Sequence, residues 1–192
     1  MTEAVAGWRR RWYVGGAVLA VVVLGTASAA AFRPWLSPWW PGRHEAATLP
    51  AVCPRLAGLP EGGTPVRLTG PGDVEGTDCS WGSASAVEAQ YSLYRRAGNT
   101  SGTGEAEHEA ASRVTRFHGP VAGYTLGADT PVSGLGDEAR ISAHGSLVIL
   151  VARKSNVVLV VNRTSPLHEG TEQAEAAVTG YARTLLGLVE LS

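Results

Sequence analysis

Leu147-Val148-Ile149-Leu150-Val151-Ala152-Arg153-Lys154-Ser155-Asn156-Val157-Val158-Leu159-Val160-Val161 is the stretch that decides the fold. Two apolar, largely β-branched runs flank four polar residues, Arg153 to Asn156, which is the pattern of a β-hairpin. Neither run alternates between apolar and polar positions, so both faces of the hairpin have to be covered. One cover can be named from the sequence. Ala174, Val178, Tyr181, Leu185 and Leu188 recur at helical spacing over Thr171 to Leu191, with Thr171 placed as cap. Gly180 weakens that helix and would allow close packing on the sheet. The other face of the hairpin is expected to meet the segment Cys53 to Trp81, or to form a groove for a ligand or partner.

Upstream of the hairpin, alternation over Val87 to Tyr94 indicates a strand with one buried face. Glycine-rich Gly98 to Gly104 breaks it. A helix is expected over Glu105 to His118, where Ala106, Ala110, Val114 and Phe117 form one apolar stripe. Glu105, Glu107 and Glu109 stand near its start and Arg113 and Arg116 near its end, as the helix dipole favours, and Gly119-Pro120 stops it. Glu138 to Ala143 reads as a further strand, and Leu56 and Leu59 as one apolar helical turn. The order strand, helix, strands, helix implies an α+β domain: a mostly antiparallel sheet packed with two helices.

The N-terminal part has a different character. Arg9-Arg10-Arg11 precedes an apolar run, Val14 to Phe32, that would rise about 28 Å as a helix and so span a bilayer core. The arginines place the head in the cytoplasm by the positive-inside rule, and Trp35, Trp39 and Trp40 beyond the run suit the headgroup region. The chain therefore divides into a cytoplasmic head (1–12), a transmembrane helix or uncleaved signal anchor (13–32), a Trp/Pro-rich interfacial linker (33–50) and an extracytoplasmic domain (51–192). The competing reading is a signal peptide cleaved after Ala27-Ser28-Ala29, which would make the domain a secreted protein.

From Ala51 to Ser192 there are 11 basic and 15 acidic residues, a formal charge of −4. This weighs against a nucleic-acid partner, which needs a basic stripe. Cys53 and Cys79 both follow the apolar run, where an oxidising exterior would allow them to pair. The alternative is two buried free thiols.

Catalytic and cofactor motifs are mostly absent. Gly134-Leu135-Gly136-Asp137-Glu138-Ala139 has the spacing of a dinucleotide-binding turn, but no strand precedes it and strand-like sequence follows. A tight turn requiring positive φ is the better reading. Glu105, His108 and Glu109 share one helix side, yet Ser112 stands where a second zinc-binding histidine would be, so a solvated face is expected and no metal. His44, His118, His144 and His168 form no ligand spacing. There is no Gly-x-Ser-x-Gly elbow and no Ser-x-x-Lys pair. Asp73, Glu75, Asp137 and Glu138 read as exposed loop acids. Neither a cofactor nor catalytic residues are expected.

The set Cys53-Pro54-x-Leu56, Cys79-Ser80-Trp81, Val132-Ser133-Gly134-Leu135-Gly136-Asp137-Glu138-Ala139, the apolar hairpin and a closing amphipathic helix resembles a family of actinobacterial envelope lipoproteins, domain of unknown function 3558. More distantly it is similar to the extracellular sensor domains of mycobacterial receptor kinases. The resemblance implies an α+β domain on the secreted side, a disulfide between Cys53 and Cys79, and binding or sensing without enzyme activity. The chain departs from the lipoproteins in lacking a lipidated cysteine, and from the kinases in lacking a cytoplasmic kinase. The functional expectation is a non-catalytic envelope domain that recognises a ligand or another envelope protein. Its alternatives are an envelope hydrolase using acids grouped by the fold and a structural subunit of a membrane complex.

Overall fold

The computed structural model describes residues 44–70, 74–82, 86–117, 128–166 and 169–192. All of these belong to one unit, Gly42–Ser192. Arg9, Arg10, Arg11, the apolar run, Trp35, Trp39 and Trp40 lie outside the described residues. Among the described residues no helix is long and apolar enough to cross a membrane.

Seven strands make one sheet: Val66–Thr69 (β1), Glu75–Trp81 (β2), Val87–Leu93 (β3), Thr130–Pro131 (β4), Glu138–His144 (β5), Leu147–Lys154 (β6) and Val157–Thr164 (β7). The spatial order is β1-β2-β3-β7-β6-β5-β4, and every neighbouring pair is antiparallel. The expected hairpin is β6–β7, with Leu150 opposite Val161 and Lys154 opposite Val157. It lies at the centre of the sheet, which is why both its runs are apolar throughout: Val148 to Ala152 and Val157 to Val161 are all buried. Two helices, Gly102–Phe117 (α1) and Thr171–Gly187 (α2), complete the α+β domain.

The helices lie on opposite faces. On one face Val87, Ala89, Tyr91, Leu150, Leu159 and Val161 pack against Val178, Ala182 and Leu185 of α2. Tyr91 donates its hydroxyl hydrogen to the Leu185 carbonyl at 3.0 Å, and Lys154 donates to the carbonyls of Leu186 (3.2 Å) and Val189 (2.7 Å). A cation there satisfies orphan carbonyls and complements the negative end of the helix. On the opposite face Ile149, Val151, Val158 and Val160 meet Ala106 and Ala110 of α1.

Several expectations need correction. The Cys53 to Trp81 segment does not cover the second face of the hairpin. Leu56, Cys79 and Trp81 join the same core as α2, and the second face is taken by α1. The helix α1 begins at Gly102, inside the glycine-rich stretch, because Ser101 Oγ accepts the Gly104 N–H (3.1 Å) as a cap. Thr171 is the first helical residue of α2 and not its cap, which is Gly170. No atom lies within 4 Å of where a Cβ on Gly180 would stand, so that glycine permits no close packing. Leu56 and Leu59 sit in a turn.

The folded unit also starts earlier than residue 51. Glu45, Ala46 and Leu49 are buried. Asn156, 3% exposed at the start of β7's turn, accepts the Ala46 N–H at 2.7 Å and donates to the carbonyls of Ala46 and Tyr94 at 3.0 Å. Glu45 accepts the Thr103 N–H (2.9 Å) and hydroxyl (2.8 Å), placing a carboxylate at the positive end of α1. These contacts are non-local and polar, which is why hydropathy along residues 44–50 reads as linker.

Candidate functional site

Cys53 and Cys79 are bonded to each other, closing a sequence separation of 26. The bridge ties the entry segment to β2. Beside it Trp81 is buried and donates its indole N–H to the Pro54 carbonyl at 2.9 Å. A Cβ on Gly62 would stand 2.6 Å from the Trp81 indole nitrogen, so the chain passes here only as glycine.

The Gly134 to Ala139 turn is structural. Gly134 and Gly136 have φ of 69° and 66°, a region that L side chains avoid. Leu135 is buried in the core between them, and a Cβ on Gly136 would stand 2.2 Å from the Arg153 carbonyl oxygen. Asp137 then accepts the Ser155 N–H at 2.6 Å and Arg153 Nη1 at 3.0 Å. That bond holds the β6–β7 turn, where Ser155 adopts a left-handed φ of 53°. Asp137 and Glu138 are thus the partners of Arg153, and Glu75 pairs with Arg95 at 2.7 Å. Asp73 lies outside the described residues.

On α1, Glu109 pairs with Arg113 (3.0 Å) and with Arg116. The side that sequence reading weighed as a metal face therefore holds an ion-pair cluster. Among the described residues no group of three metal-binding side chains comes together.

Among the described residues, the α1 face of the sheet is only partly covered. The helix covers β6 and β7 and leaves a recess on either side. The first, about 370 Å³, runs between α1 and strands β5 and β6. Ala110, Ala111 and Val114 form its helical wall, Val151 its apolar floor, and Arg140 and Arg153 its charged rim. Each guanidinium is held: Arg140 by Asp129, and Arg153, only 12% exposed, by Glu138 (3.1 Å) and Asp137 (3.0 Å). A groove with an apolar base and fixed charges along its edge suits an amphiphilic chain.

The second recess, about 310 Å³, is a polar trough over β2, β3 and β7. The register sets Asp78 opposite Gln90, and Ser80 and Asn162 on either side of Glu88. Gln90 Oε1 accepts Arg113 Nη1 at 3.0 Å, and Ser92 Oγ accepts Arg113 Nη2 at 3.1 Å, so α1 is tied to the trough's edge. Oδ1 of Asp78 and Oδ1 of Asn162 are shielded from solvent and accept no hydrogen bond among the described residues. Asp78 and Glu88 stand on adjacent strands two residues out of register, which sets their backbones roughly 7–8 Å apart.

Two buried tyrosines lie on opposite faces of the sheet, Tyr91 in the core under α2 and Tyr94 in the cluster under α1. Burial raises the Tyr91 pKa well above that of a free phenol. Burial also raises Tyr94, helped by the Glu109 charge and opposed by Arg113.

No family model, curated protein or solved structure matches the chain.

Of the residues in the two recesses, sequence reading had singled out only Cys79, as half of a disulfide, and Glu138 and Ala139, as part of a glycine turn; none was expected to line a binding site. The expected single buried face of this strand holds only at Glu88 and Gln90, because Ser92 and Tyr94 on the same side are buried under α1, and only the register shows that Asp78 and Asn162 join the open part. The one available signal is Asn162 directly after the five apolar residues Val157 to Val161.

Proposed function

We propose that this chain is a single-pass, membrane-anchored extracytoplasmic domain of binding or sensing type, which recognises a ligand or another envelope protein through the α1 face of its sheet. The observation that carries this reading is the uneven cover of the sheet. One face is sealed by α2 and the disulfide-linked entry segment, whereas on the other α1 is flanked by a 370 Å³ groove and a 310 Å³ trough. Recesses lined by positioned polar groups beside apolar ones are the usual form of a recognition site. The anchor rests on the Val14 to Phe32 run between Arg9-Arg10-Arg11 and the tryptophans. The outside location is supported by the Cys53–Cys79 bridge, since such bonds persist in oxidising compartments. The resemblance to envelope lipoproteins of domain of unknown function 3558 points the same way.

The test is a photo-reactive residue placed in intact cells at Ala111 or Thr115, beside the groove, and at Glu175 on α2 as control. A discrete protein or ligand adduct at the first two positions, absent at the third, is the expected result. No adduct at any position, with no ligand recovered from cell extracts, overturns the reading.

One observation favours the hydrolase alternative: Asp78 and Glu88 line one trough. Two carboxylates lining one cleft are what glycoside hydrolysis requires. Turnover of cell-wall polymers by the purified chain, lost in Asp78→Asn and in Glu88→Gln, would replace binding by catalysis; no turnover is expected.

A further inference from the structure

We infer that the β1 edge of the sheet pairs with the β1 edge of a second copy of this chain, antiparallel and about a twofold axis at Leu68. The inference goes beyond the binding role proposed above and does not depend on it.

The first observation is an unpaired backbone. β1 is the end strand, and its register with β2 runs from Val66 opposite Asp78 to Thr69 opposite Glu75. In that same register the Gly70 N–H donates to the Val74 carbonyl at 2.8 Å. Hydrogen-bonded pairs alternate with open ones along an antiparallel ladder, so Val66 and Leu68 bond to β2 while Arg67 and Thr69 turn their N–H and C=O groups outward. The Gly63 N–H donates to the Ser80 carbonyl at 3.0 Å, and Ser80 lies an even number of residues from Val74, so the phase holds along β2. The edge thus offers two donors and two acceptors to a further strand.

The second is exposed apolar surface. Among the described residues five large apolar side chains are exposed, and two of them, Val66 at 56% and Leu68 at 40%, share one face of this four-residue strand. Leu68 lies opposite Gly76, so the neighbouring strand has no side chain to cover it. The far edge differs: β4 has two residues, one of them Pro131, and short strands and prolines are how sheets blunt an edge.

The third is self-complementarity, which names the occupant. Centring the pair on Leu68 sets Arg67 opposite Thr69 of the second copy and Thr69 opposite its Arg67, so both outward-facing residues of each copy find hydrogen-bonding partners. Leu68 meets Leu68 at an open position, where Cβ atoms stand roughly 4.5–5.5 Å apart. Within each copy Thr69 stands opposite Glu75, so Arg67 points along a row that leads across Thr69 to Glu75 of the second copy. Other registers are poorer. Centring on Arg67 sets like charges directly opposite each other, and Pro65 and Pro71 on either side of β1 carry no N–H for registers centred on Arg67 or Thr69.

A four-residue edge is a small contact beside the roughly 1,200 Å² of a stable interface, so a covalent trap is the suitable assay. The sequence has two cysteines and both are in the Cys53–Cys79 bridge, so one substitution introduces the sole free thiol. Leu68→Cys and Val66→Cys are made in the full chain, oxidised mildly in the intact cells that make it, and read on non-reducing gels. The pairing predicts roughly tenfold more homodimer at Leu68→Cys, whose Cβ atoms approach disulfide distance, than at Val66→Cys, which faces Gly70 of the second copy. Random collision would favour Val66, the more exposed of the two. Added to Leu68→Cys, Arg67→Pro removes an outward N–H and leaves the β1–β2 ladder intact, and Arg67→Glu sets like charges across the contact; each lowers the dimer severalfold at an unchanged melting temperature. Equal crosslinking at both positions overturns the inference, as does no dimer at Leu68→Cys, a crosslink from Leu68→Cys to a different protein, or a dimer insensitive to both Arg67 changes.

Discussion

Asn156→Ala is the substitution that most sharply probes how this domain begins. The side chain is 3% exposed and joins the entry segment to the central hairpin by three hydrogen bonds of 2.7 to 3.0 Å, to Ala46 N–H, Ala46 C=O and Tyr94 C=O. Alanine removes all three and leaves those backbone groups without partners; Ala46, 4% exposed, is itself poorly placed to recruit water. A lost hydrogen bond costs about 1 kcal/mol net and a buried orphan group about 1–3 kcal/mol, so the expected loss is about 3–5 kcal/mol. That is a large share of the roughly 5–15 kcal/mol by which domains are stable. It corresponds to a melting temperature lower by roughly 6–20 °C for a unit of this size. Urea unfolding of the full chain in mild detergent, followed by far-UV circular dichroism, measures it. Asn162→Ala is the matched control: its Oδ1 has no donor to lose, so a change within about 1 kcal/mol of zero is expected. A loss below about 1 kcal/mol in Asn156→Ala would refute the reasoning, because residues 44–49 would then not be held by the hairpin.

Other outcomes follow from the same structure. Gly136→Ala meets both a positive φ and the Arg153 carbonyl at 2.2 Å and should cost about 3 kcal/mol or more, whereas Gly134→Ala, with open space around it, should cost only the backbone term of about 1–2 kcal/mol; paired unfolding curves compare them. Reduction of Cys53–Cys79 should destabilise by about 3.5 kcal/mol on the chain-entropy estimate for this loop, read as a lower urea midpoint with reductant present. Tyr91 has its pKa raised by burial, so the stability it contributes is complete below the unfolded phenol value near about 10 and is lost as pH rises beyond that toward the folded value. The unfolding midpoint should therefore fall above about pH 10. Tyr91→Phe should flatten that slope while costing about 1 kcal/mol at neutral pH through loss of the bond to Leu185.

The fold was legible where burial imposes a period. The β6–β7 hairpin, the strand at Val87, the strand at Glu138 and both helices follow from apolar spacing, and the Gly134 to Ala139 turn was rightly read as needing positive φ. Strands β1 and β2 were not legible. All four residues of β1 are exposed, so no period marks it, and in β2 only Cys79 and Trp81 are apolar, the other buried positions being Gly76 and Thr77. The start of α1 was hidden because Gly102 and Gly104 read as breakers, while the groups that hold the turn, Ser101 and Glu45, act through a cap and a contact 58 residues away. The recesses depend on register and on where α1 stops covering the sheet, neither of which sequence spacing expresses.

Hydrogen exchange on the full chain tests the central claim most directly, comparing the protein in extracts of its own cells with the same protein purified. Recognition through the α1 face predicts that amides of α1, β2, β3 and β5 exchange more slowly in the extract, while those of α2 are unchanged. Equal exchange in both states, or extra protection confined to α2, would contradict it.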